Sequence, residues 1–180
     1  MNKVLFIKSD HYCNVRVQKY IEVLKDFHVI FVGWEREPCE GFLKPNEIIN
    51  LNHGGGFGFS TKLIFGYVKF LLRLFFFILT KEKISSHKII AINFDVACVL
   101  YFASFFRRFH FIYEIHDTFS LSYNLPIIAS KLIDFVDIKI RNNCCKVIHV
   151  DINRVSEKEN NYIIIENSPL DYIQKKQINI

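Results

Sequence analysis

Residues 3–33 read KVLFIKSDHYCNVRVQKYIEVLKDFHVIFVG, and this stretch decides the fold. Lys3–Ile7 is a short apolar run of strand character, and Ser9-Asp10-His11 is a polar turn. From about Asn14 to Asp26 the apolar residues Val15, Tyr20, Val23 and Leu24 fit a helix, with Asn14 placed to cap its start. His28–Val32 then reads as a second strand. Strand, turn, helix, strand is the repeating unit of a parallel sheet covered by helices. The first turn, Ser9-Asp10-His11-Tyr12, contains no glycine, which argues against an ordinary dinucleotide-binding unit and removes the dehydrogenase reading.

The rest of the chain continues the alternation. Gly33–Asn46 is loop-rich, Ile48–Leu51 a weak strand, and Gly54–Gly58 the one glycine cluster. A long helix is expected over about Thr61–Lys83, a strand over Lys88–Ile92, a helix over Val96–Arg107 and a strand over Phe109–Ile115. A helix from about Pro126 to Arg141 follows, proline suiting a first helical turn, then strands Val147–Val150 and Tyr162–Ile165. The fold class is therefore α/β: a single Rossmann-like domain over residues 1–170, with 171–180 as a linker stub or tail.

Composition agrees with one buried core. The chain has 180 residues, 51% hydrophobic and 23% charged, and a domain of this size buries roughly 70% of its unfolded surface without a staple. Its net charge of +5 is mild and dispersed, unlike the concentrated basic face of a nucleic-acid binder. Cys13, Cys39, Cys98, Cys144 and Cys145 are odd in number and lack a C-x-x-C pair. They suggest neither a disulfide framework nor a zinc site, and a reducing cytoplasm fits best. His28, His53, His87, His110 and His149 show no ligand spacing, so no metal is expected. No signal peptide is legible at the N-terminus, and no nucleophile elbow of the hydrolases occurs.

In open parallel sheets ligands sit beyond the carboxyl ends of the strands. Here those positions are polar: Asp10 and His11, Trp34 and Glu35, Asn93 and Asp95, Glu114 with His116 and Asp117, Asp151, and Glu166 with Asn167. Any one of them also reads as a loop residue that caps a helix or faces water. Their shared edge points to a cleft.

Asn14-Val15-Arg16-Val17, then Leu24 and Val29–Trp34, later Asn93-Phe94-Asp95 and Tyr113-Glu114-Ile115-His116-Asp117, and finally Asn167-Ser168-Pro169 resemble, in that order, the N-terminal domain of family 4 glycosyltransferases. The resemblance spans nearly all of the chain, and Tyr113–Asp117 is its best motif. It departs at Ile92-Asn93-Phe94-Asp95, where family members often carry a histidine. The resemblance implies one half of a GT-B fold, the acceptor-binding half. The second Rossmann-like domain, which binds most of the sugar nucleotide and carries paired glutamates, is not in these residues. No firmly bound cofactor is implied, the donor being expected mainly through that second domain on another chain.

Carried over residue by residue, the resemblance makes His116, Asp117 and Glu114 catalytic candidates. Glu114 and His116 alternate on a strand and project to one face, and Asp117 is placed to fix the imidazole tautomer. The alternative is that His116 and Asp117 merely cap the next helix. Arg16, Asn93 and Asp95 are substrate-binding candidates. So are Gly55 and Gly56, whose backbone N–H groups suit a phosphate, although the cluster lacks any phosphate-loop spacing and reads equally as a mobile loop.

The long helix is apolar and basic at once. Lys62, Lys69 and Arg73 fall on one side at spacings of seven and four, which suits an anionic membrane surface. Lys69 and Arg73 in its middle argue against a membrane-crossing helix, and a core helix with its charges to solvent is the alternative. The resemblance also implies a lipid-linked or glycan acceptor, surface-polysaccharide assembly and a cytoplasmic location, peripheral at the inner membrane face. A partner- or membrane-binding module without activity, or a remnant of such an enzyme, is the competing reading.

Overall fold

The computed structural model describes residues 3–36, 39–54, 61–116, 126–150 and 161–165. Seven parallel strands form one open sheet: β1 (Lys3–Ile7), β2 (His28–Glu35), β3 (Glu47–His53), β4 (Lys88–Ile92), β5 (Phe111–Ile115), β6 (Lys146–His149) and β7 (Tyr162–Ile164). Their order is β3-β2-β1-β4-β5-β6-β7. The chain winds outward from β1 to β3, then returns to β4 on the other side of β1, so the topological switch point lies between β1 and β4. Lys3 pairs with His28 on one side of β1, and Val4 with Lys88 on the other.

Four helices flank the sheet: α1 (Val15–Val23), α2 (Thr61–Thr80), α3 (Phe94–Ser104) and α4 (Ile127–Asn143). Asn14 caps α1 as its sequence position implies, its side chain accepting from the Arg16 N–H at 3.2 Å. On one sheet face α1 places Val17 and Ile21 against Val4, Phe6, Val29 and Phe31. On the other, Phe70, Leu74 and Ile78 of α2 and Val96, Ala97 and Leu100 of α3 meet Leu5, Ile7, Ile30, Val32 and Ala91. Burying each large side chain contributes roughly 1.5–3 kcal/mol, so the three from α2 add about 5–9 kcal/mol toward holding that helix on the sheet.

The ends of elements differ from the sequence expectation where long-range partners intervene. Helix α2 stops at Thr80, because Lys83 takes φ 54° and starts a 3-10 turn over Ile84–Ser86. Strand β3 runs seven residues, not four, since β2 offers a full edge of backbone groups. Gly66 in α2 lets Trp34 approach: a Cβ there would lie 2.9 Å from Trp34 Cζ2. Gly54 takes φ +68°, and its N–H and carbonyl bond Glu35 O and Trp34 Nε1 at 2.8 Å each.

The cysteine expectation needs correction. Cys13, in the loop after β1, is joined by a disulfide to Cys39, in the loop after β2. Their sequence separation of 26 residues carries no recognisable pattern, so only the fold reveals the pair.

Helix α2 is long and apolar enough to cross a membrane by length and composition alone. Its Phe70, Leu74 and Ile78 belong to the core, while Phe65, Leu72 and Phe76 are exposed. Helix α4 is similar, burying only Ile140 and exposing Ile127, Ile128, Leu132 and Phe135.

Candidate functional site

The carboxyl edge gathers polar groups from strands far apart in sequence. Glu114, the fourth residue of β5, is fully buried on the α1 side of the sheet. Its Oε1 accepts from Nε of Arg16, the second residue of α1, and lies 2.9 Å from His116 Nε2. Arg16 Nη2 also donates to the Ile165 carbonyl at 2.9 Å, tying α1 to the end of β7. A buried carboxylate between a guanidinium and an imidazole fixes both, because each alternative orientation would leave a charge unpaired in a low-dielectric interior. His116 keeps 15% of its side chain exposed, so the ring is oriented from inside and reachable from outside. Burial, then the Glu114 carboxylate, push the nearby Tyr20 phenol above its ordinary pKa.

Alternation alone places Glu114 and His116 on one face; the structure adds Arg16 to them, a meeting that nothing in the sequence announces. The carboxylate seen on the imidazole is that of Glu114; Asp117, assigned to the tautomer from sequence, lies outside the described residues, as do Gly55, Gly56, Asp151, Glu166 and the Asn167-Ser168-Pro169 segment. Arg16 spends its observed hydrogen bonds within the protein rather than toward the open edge.

At the switch point Asn93 takes φ 73° and ψ 160°, a backbone region that costs a residue with a side chain of order 1–3 kcal/mol. Its N–H donates to Glu114 O at 2.9 Å, and its Oδ1 is buried without a hydrogen-bond partner among the described residues. Asp95, in the first turn of α3, accepts from Tyr67 Oη of α2 at 2.7 Å. Beside it, α2 and α3 enclose an apolar groove of about 470 Å³ lined by Leu71, Phe75, Phe94, Val99 and Phe102.

Sequence reasoning passed over Lys8. It follows β1 directly, is 5% exposed, and holds its Nζ 3.6 Å from Asp10 Oδ2. Burial lowers its pKa, while Asp10, Asp95 and Glu114 support its charge. The signal was a lysine ending an apolar strand at the edge where ligands bind. Lys62, Lys69 and Arg73 are exposed on α2, and Arg73 Nη1 leans back to the Leu51 carbonyl at 2.7 Å.

Strand order, switch point and this polar edge define a Rossmann-like α/β unit with a ligand-facing rim. Two solved chains of sucrose-phosphate synthase from Thermosynechococcus elongatus share the fold. One is matched over 98% of this chain and 97% of its own length, with a TM-score of 0.63 and 15% identity. A longer one is matched over 100% of this chain but 53% of its own length, with a TM-score of 0.62 and 14% identity, so this chain spans about half of it. This likeness shows that the chain shares its fold with those synthase chains. No protein-family model matches the chain, and no curated protein does.

Proposed function

We propose that this chain is the acceptor-binding half of a GT-B glycosyltransferase of the family 4 type, working in bacterial surface polysaccharide or glycolipid assembly at the cytoplasmic membrane face. The observation that carries the reading is the buried Glu114 holding His116 and Arg16 at the carboxyl edge of a glycosyltransferase-like fold. Glycosyl transfer breaks the bond from anomeric carbon to diphosphate oxygen and joins that carbon to an acceptor oxygen, whose proton departs. The protein's tasks are to align the acceptor and to stabilise the leaving diphosphate.

In this reading His116 hydrogen-bonds the transferring sugar, Glu114 fixes the imidazole, and Arg16 acts as a positioning residue for Glu114. Lys8 supplies a buried cation near the developing negative charge, and Asn93 and Asp95 offer acceptors for hydroxyl groups. The apolar groove beside Asp95 suits the hydrocarbon part of a lipid-linked acceptor. Sugar nucleotide binds mainly to a second Rossmann-like unit, which these residues do not include. Lys62, Lys69 and Arg73, beside the exposed Phe65, Leu72 and Phe76, form the contact with anionic lipid.

The test is transfer of sugar from nucleotide donors to a lipid acceptor by the chain together with a matching donor half. His116→Ala should lower the rate by about a hundredfold or more with the circular dichroism spectrum unchanged. The exposed apolar faces of α2 and α4 favour a second reading, a partner- or membrane-binding module without activity. Absence of product with every donor selects that reading, whereas equal product from the His116→Ala variant removes His116 from the transfer step.

A further inference from the structure

A ring nitrogen of His11 and the sulfur atoms of Cys13 and Cys39 all lie within 4.8 Å of one another. Two of these residues come from the loop after β1 and one from the loop after β2. The same loops are clamped by contacts that do not involve sulfur. Gln18, buried on α1, donates through Nε2 to the Tyr12 and Leu43 carbonyls at 3.0 Å each, and its Oε1 accepts from the Leu43 N–H at 2.8 Å. Tyr12 Oη donates to the Cys39 carbonyl at 3.4 Å. These contacts hold the two loops together independently of the disulfide, so on its cleavage the sulfurs need only part to non-bonded distance and stay beside the imidazole.

Two thiolates and an imidazole form a donor set suited to Zn²⁺, a borderline-soft ion that takes sulfur and nitrogen in tetrahedral geometry. Asp10 Oδ1 lies 3.7 Å from His11 Nε2, an ion-pair distance longer than a hydrogen bond, which puts a carboxylate beside the ring. Where thiols are kept reduced, a close cysteine pair serves metal or redox chemistry rather than scaffolding. We propose that the reduced chain binds one Zn²⁺ through His11, Cys13 and Cys39, and that oxidation to the disulfide expels it. The fourth tetrahedral position is left to water or an incoming ligand. With hydrogen peroxide as oxidant, the two thiolates each give one electron, the S–S bond forms, and peroxide with two protons becomes two waters as Zn²⁺ leaves.

The experiment titrates Zn²⁺ into the full reduced chain against a chromogenic chelator. One ion per chain is expected for wild type and for Cys98→Ser and Cys145→Ser, with none for Cys13→Ser or Cys39→Ser. His11→Ala should bind at least about tenfold more weakly, and circular dichroism should show all variants folded. Peroxide should release the ion while the count of free thiols falls by two. The proposal is overturned if folded, reduced wild type takes up no stoichiometric zinc. Undiminished binding by Cys13→Ser, Cys39→Ser or His11→Ala overturns it equally.

Discussion

Replacing Glu114 by glutamine keeps the volume of the side chain and removes only its charge. The carboxylate is fully buried and Arg16 is 6% exposed, so solvent screens neither. The variant strands the Arg16 guanidinium by removing its carboxylate partner, while Lys8 keeps Asp10. Breaking one side of a buried pair costs about 3–5 kcal/mol. For a chain of this length that corresponds to a fall in Tm of roughly 6–20 °C. Trp34 is the sole tryptophan and is 1% exposed, so its fluorescence in urea reports global unfolding. An unchanged slope against urea would place the loss in the folded state. The double variant Arg16→Met with Glu114→Leu removes both charges and should cost roughly 2–3 kcal/mol less than the two single changes added together. A Glu114→Gln loss below about 1 kcal/mol, or additivity in the cycle, would refute the claim that this ion pair organises the edge.

Tyr113 Oη donates to Asp137 Oδ1 at 2.8 Å, and burial, then Asp137, hold its pKa well above 10.0 in the folded protein. The unfolded chain loses that proton first, so this contribution is intact below pH 10 and fades as pH rises beyond it; the stability difference between wild type and Tyr113→Phe should narrow there in urea titrations. A widening difference would contradict the burial argument. Gly66→Ala gains helix propensity of about 1 kcal/mol but drives a Cβ to within 2.9 Å of Trp34, an overpacking that costs about 1–3 kcal/mol, so a net loss of up to about 2 kcal/mol is expected in place of a gain. Lys69→Glu with Arg73→Glu should weaken flotation with anionic liposomes at least tenfold, each basic residue near such a surface adding about 1 kcal/mol; equal flotation would remove α2 from the membrane contact.

What the residues determine by themselves is whatever local periodicity encodes. Apolar runs such as Lys3–Ile7 and Lys88–Ile92 match observed strands residue for residue, and Asn14 caps the helix its position announces. Alternation through the end of β5 likewise places Glu114 and His116, the residue just after the strand, on one face before any contact is known. Parallel pairing of β1 with β2, of β4 with β5 and of β5 with β6 also follows, because each of these pairs is joined by a helix long enough to cross over; β2 and β3 are joined by a loop.

Pairings across the sheet belong to tertiary structure alone. Arg16 and Glu114 are 98 residues apart, and nothing local to either announces the other. Burial turned Arg16 inward to Glu114 and the Ile165 carbonyl, and gave Lys8 three carboxylates for company. Cys13 and Cys39, unremarkable in spacing, meet because β1 and β2 are neighbours and the loops leaving their carboxyl ends must share one rim. Periodicity is a property of a few consecutive residues, whereas a charge or a thiol finds its partner only where the sheet order brings distant loops together.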